Sequence, residues 1–140
     1  MNAEDNLASR LKEALAALRP ETIDALRPLY HENLEFRDPI QTLRGIEDFL
    51  AMNRRLFARF RELTFDVSTA RGDDRDVFLV WTMRAVPKVG PRLAVDGVTH
   101  ARAEGGRVTH QRDYWDLGEL VARAIPGGPA ALRFLLKPFA

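Results

Sequence analysis

The hydrophobic period of the chain changes near Leu63, and that change limits what it can fold into. Before it, Leu7, Leu11, Leu15 and Leu18 recur at helical spacing. After it, Leu63, Phe65 and Val67 alternate with Thr64, Asp66 and Ser68, the period of a strand with one buried face. Further strand-like stretches, Val77 to Val86, Leu93 to Ala103 and Arg107 to Leu117, are separated by turns at Gly72-Asp73-Asp74, Lys88 to Pro91 and Gly105-Gly106. Connections that short predict antiparallel hairpins. Helices followed by a meander of long strands predict an α+β domain, and a strongly curved antiparallel sheet wrapped around helices would make it a cone. Such a cone leaves a concave interior, the usual place for a small ligand.

The helical half reads as follows. Residues 4–18 form an amphipathic helix, and a second begins at Thr22 as N-cap, with Ile23, Leu26 and Tyr30 on one side and Pro28 shortening it. Leu34 to Arg37 is a short strand stopped by Asp38-Pro39. A longer helix after Gly45 carries Ile46, Phe49, Leu50, Leu56, Phe57 and Phe60, with Arg54, Arg55, Arg59 and Arg61 as a solvated face. The C-terminal part holds an amphipathic piece from Leu117 to Ile125, the break Pro126-Gly-Gly-Pro129, and an apolar segment from Ala130 to Phe139.

At 140 residues the whole chain, 1–140, is expected to be one domain. A net charge of +1 gives no reason to expect nucleic acid or a membrane surface as partner. No apolar run approaches the roughly 20 residues a bilayer requires, and the acidic start lacks a basic leader region; a cytoplasmic protein is expected. There is no cysteine. His31, His100 and His110 have no metal-ligand spacing, and no glycine-rich phosphate loop occurs, so neither metal nor cofactor is expected.

One strand poses a problem. In His110-Gln-Arg-Asp-Tyr-Trp-Asp-Leu117 neither alternating face is apolar, although one must turn inward. Asp113 is then either a solvent-facing residue or a buried carboxylate with a raised pKa, the state suited to a general acid or base. His100 is a core histidine or the partner of that carboxylate. Asp38 either caps its own turn or acts as a second carboxylate at the cavity mouth.

The segments LYHENLEFRDP, LRGIEDF, MRAVP and EGGRVTHQRDYWDL, in this order, resemble the nuclear-transport-factor-2-like superfamily, which includes ketosteroid isomerases, limonene-epoxide hydrolases and SnoaL-like polyketide cyclases. The isomerase likeness places the general base at Asp38, with the positions of its two oxyanion donors near Ala14 and Val98, so that Tyr30, Tyr114 or His100 would have to replace them. The epoxide-hydrolase likeness places a water-activating carboxylate at Asp113, whereas Leu79 and Trp81 stand where that family has an arginine and an aspartate. The cyclase likeness implies a carboxylate–histidine pair, Asp113 with His100.

With Val98 and His100 facing inward opposite Gln111, Asp113 and Trp115, the expected cavity is lined by Leu63, Phe65, Leu79, Trp81, Met83, Gln111 and Trp115, with Tyr30 nearby. The expected role is acid/base chemistry on a small hydrophobic molecule: isomerisation, cyclisation or hydrolysis. A noncatalytic binding module for an apolar ligand and a homodimeric interaction domain are the alternatives.

Overall fold

The computed structural model describes residues 5–139. Helix α1 (Leu7–Ala16) starts at Asn6, whose side chain accepts a bond from the Ser9 amide at 3.0 Å, one of the donors that a helix start leaves unpaired. Its Leu7 amide reaches the Asp74 carboxylate at 2.9 Å, tying the helix to a distant hairpin turn. The next segment, Pro20–Leu29, is 3-10 helix rather than the α-helix expected there. Pro28 has no N–H to give an α-helical ladder. Arg19, not Thr22, occupies the cap position, with its amide bonded to the Thr22 hydroxyl at 2.9 Å.

Six strands follow or interleave: β1 (Tyr30–Arg37), β2 (Thr42–Arg44), β3 (Phe60–Gly72), β4 (Asp76–Pro87), β5 (Leu93–Glu104) and β6 (Arg107–Trp115). Helix α2 (Ile46–Ala58) lies between β2 and β3 and begins after Gly45, whose φ of 90° suits glycine. Helices α3 (Leu117–Ala124) and α4 (Gly128–Leu135) precede a final turn at Lys137–Phe139.

The strands form one sheet in the order β2-β1-β6-β5-β4-β3. The expected meander from β3 to β6 is antiparallel throughout. The strand expected at Leu34 to Arg37 is longer and pairs with β6 in parallel, and β2, not foreseen, pairs with β1. Register shifts in β3 and between β5 and β6 let long strands bend, giving the curved, mostly antiparallel α+β sheet.

Helices α1 and α2 and the 3-10 segment lie on its concave side. Phe49, Leu50 and Phe57 of α2 and Leu7 and Leu11 of α1 are buried with Leu34 and Phe36 of β1. Each such side chain contributes about 1.5–3 kcal/mol when fully withdrawn from water. No helix among the described residues is long and apolar enough to cross a membrane.

Candidate functional site

Along β5 the buried positions are Val95, Gly97, Thr99, Ala101 and Ala103, while Asp96, Val98, Arg102 and Glu104 are exposed. The register sets Thr99 opposite Asp113 on β6 and opposite Leu79 on β4. The next row outward is Trp81, Gly97 and Trp115. Glycine is required there, because a Cβ at position 97 would lie 2.2 Å from Cη2 of Trp81. The indole fills the space and turns its Nε1 towards Thr99.

This face, with the helices above it, encloses a cavity of about 400 Å³. Asp113, Trp115, Trp81, Gln111, Tyr30, Phe65, Leu79 and Met83 all line it. So does Asp38, at the loop after β1. Three of the expected residues are elsewhere. Val98 and His100 project from the opposite face of the sheet: His100 stacks on Phe78 with ring centroids 4.4 Å apart, and its Nε2 lies 3.0 Å from Asp76 Oδ1. The expected Asp113–His100 pair is therefore corrected to Asp113–Thr99. An inward His100 would have carried Asp96, Arg102 and Glu104 into the core with it. Leu63 is buried in the core and is not part of the cavity wall.

The polar corner has a definite bonding order. Trp81 Nε1 donates to Thr99 Oγ1 at 3.0 Å, and Thr99 donates to Asp113 Oδ1 at 2.7 Å. Tyr30 Oη donates to Gln111 Oε1 at 2.6 Å, and Gln111 Nε2 donates to the same Asp113 Oδ1 at 3.2 Å. An indole can only donate, so the Thr99 proton is committed to the carboxylate; the tyrosine likewise fixes the Gln111 amide. Two relays therefore end on one carboxylate oxygen.

Among the described residues no donor reaches Asp113 Oδ2, and no buried side-chain polar atom lacks a partner. Oδ2 is thus open to a water-sized molecule in the cavity. Desolvation by the apolar walls pushes the Asp113 carboxyl up to about 6, against the two hydrogen bonds and with a smaller contribution from the Asp38 charge. Tyr30 is raised by burial and by the charge of Asp113, and so keeps its proton.

Asp38 both caps its turn and borders the cavity. Its Oδ1 accepts from the amides of Ile40 and Gln41 at 2.8 and 3.1 Å, and its Oδ2 from Gln41 Nε2 at 3.0 Å. Both of its oxygens are thus engaged by its own loop.

Sequence reasoning missed Thr99 and Asn53. Thr99 was legible in the charged residues that alternate with it along β5. Asn53 is a buried polar residue on the cavity face of α2, bonded to the Phe49 carbonyl at 2.9 Å; its place one turn after Phe49 was the available signal. The closing wall was also missed: Leu120, Val121 and Ala124 of α3 line the cavity, as do Leu11, Leu15 and Leu18.

A curved sheet cupping helices over an apolar cavity with carboxylates is the architecture of the nuclear-transport-factor-2-like proteins. The SnoaL-like domain family matches residues 11–111, and the chain belongs to that family. No curated protein matches it in sequence.

Solved structures share the fold. One is a hypothetical protein with a ketosteroid isomerase-like fold from Catenulispora acidiphila DSM 44928, in complex with trimethylamine: TM-score 0.71, 20% identity, covering 86% of this chain and 92% of that one. A protein assigned as a SnoaL-like polyketide cyclase from Jannaschia sp. CCS1 has TM-score 0.71 and 23% identity over 84% and 88% of the two chains. An LEH-like epoxide hydrolase of M. tuberculosis has TM-score 0.67 and 23% identity over 94% and 96%.

Proposed function

We propose that the cavity carries out acid/base chemistry on a small hydrophobic molecule, with Asp113 as the group that moves the proton. The observation that carries this reading is the asymmetry of that carboxylate: Oδ1 accepts from Thr99 and Gln111, while Oδ2 takes no donor from the described residues and Asp113 lines the cavity. In the ionised state Oδ2 takes a proton from a carbon acid or from water. In the neutral state the same oxygen returns it to another atom of the bound molecule. The net change is an isomerisation, a ring closure or an addition of water, with no redox partner and no transferred group. A pKa of about 6 keeps both states accessible near neutral pH.

The surroundings narrow the chemistry. Trp81 and Tyr30 each commit their one proton to the network. Neither is free to stabilise an oxyanion in the manner of ketosteroid isomerase, where a tyrosine and a neutral carboxylic acid share that role. Leu79 and Trp81 supply neither the arginine nor the second carboxylate of the epoxide-hydrolase resemblance. What remains is single-carboxylate proton transfer of the cyclase or isomerase type.

The test is a panel of polycyclic ketones, ketosteroids and epoxides assayed for turnover, with binding followed through Trp81 and Trp115 fluorescence. Asp113→Asn should abolish turnover and keep affinity within a few-fold, and wild-type kcat/KM should fall about tenfold per pH unit below pH 6. Tight binding without turnover by the wild type would establish the noncatalytic binding module instead.

A further inference from the structure

Helix α4 has no buried residue: Phe134 is 77% exposed and Leu135 70%, and Phe139 just beyond is 86% exposed. Ile125 and Leu136 are also open to solvent. This is more clustered apolar surface than a soluble monomer usually carries without a use.

The segment is not positioned to fold it away. Helix α4 starts against α3 so closely that a Cβ on Gly128 would lie 1.8 Å from the Ala122 carbonyl oxygen. Leu132 lies on the α3 side, near Gly118. The hairpin is thus closed on itself, and its remaining apolar residues face outward.

Charge decides what would cover them. From Pro126 to Phe139 there is no acidic residue, while Arg133 and Lys137 interrupt the apolar run. In α3 the one acid, Glu119, is paired with Arg123 at 2.7 Å. Two copies meeting through this face would bring together two patches that each carry Arg133 and Lys137 and no unpaired acid, as a twofold contact uses the same patch on both sides. An anionic lipid surface supplies the missing counter-charge and accepts scattered aromatic and aliphatic side chains without shape matching.

We propose that the α3–α4 hairpin is a docking element for an anionic lipid bilayer, with Phe134, Leu135 and Phe139 entering the interface and Arg133 and Lys137 meeting the headgroups. Leu120, Val121 and Ala124 on the same hairpin form part of the cavity wall, so docking sets that wall beside the phase in which an apolar molecule dissolves.

The experiment is co-flotation of the full chain with phosphatidylcholine vesicles, with and without phosphatidylglycerol. Binding is expected only with the anionic lipid, weakening as salt is raised. Arg133→Gln with Lys137→Gln should weaken it roughly thirtyfold, through the loss of two surface cations. Phe134→Glu with Leu135→Glu should abolish it while circular dichroism stays unchanged, since both positions are exposed. Equal binding to neutral vesicles, no binding to either, or a dimer that dissociates on the glutamate substitutions without any flotation would each overturn the proposal.

Discussion

Thr99 has one hydroxyl proton, and the indole of Trp81 decides where it goes. Because Nε1 of Trp81 already occupies an acceptor site on the hydroxyl, the proton points at Asp113 Oδ1. Thr99→Val keeps the shape and removes both functions. The indole N–H loses its partner, costing about 1–3 kcal/mol of stability in urea unfolding. The Asp113 pKa rises above its present value of about 6, because a stabilising bond is lost. A Thr99→Ser substitution should restore both. Asp113 itself was legible in the sequence, since a strand with no apolar face must bury something polar. Thr99 was hidden by a choice of face: Val98 and His100 offered a hydrophobe and a chemical partner, yet they share their side with Asp96, Arg102 and Glu104. Asp116, just past the end of β6, serves the backbone instead, its Oδ1 capping α3 by accepting from the Glu119 amide at 2.8 Å.

Strand β5 works because its inner face is mostly small: Gly97, Ala101 and Ala103 leave room for the long side chains of neighbouring strands. At Gly97 that room is already taken by the ring of Trp81. Gly97→Ala is therefore an overpacking change, expected to destabilise by about 1–3 kcal/mol in denaturant unfolding and to shift Trp81 emission as the ring moves. Hairpin order in β3 to β6 was legible because alternation and short turns are local signals. The parallel pairing of β1 with β6 was not, since it joins residues about 75 positions apart, such as Phe36 and Gln111, and no local pattern encodes it. The 3-10 segment was misread as an α-helix because apolar spacing alone does not register the ladder bond that Pro28 cannot make.

At the scale of the whole molecule, the sheet has a second face to account for. Val80, Val98 and Tyr114 lie side by side across β4, β5 and β6, with Phe78 beside them, and all are exposed. We propose that two copies pair through this stripe, so that Val98→Lys shifts sedimentation towards the monomer while leaving the cavity intact. Stability also depends on the cavity. An unfolded aspartate loses its proton near pH 4, whereas folded Asp113 keeps its own to about 6. Between these values the folded chain binds the extra proton, so stability falls as pH rises through that window and levels off above it, by on the order of 2–3 kcal/mol. In Asp113→Asn this loss should vanish, which urea unfolding at pH 4.5 and pH 7.5 would reveal.

The proposed chemistry stands on one open, desolvated oxygen of Asp113 facing the cavity. Its most direct measurement is the titration of that carboxyl, followed through the side-chain 13C resonance and assigned by its disappearance in Asp113→Asn. A midpoint near pH 6 that moves when an apolar ligand fills the cavity is the predicted result. A midpoint near 4, unmoved by any ligand, would contradict it.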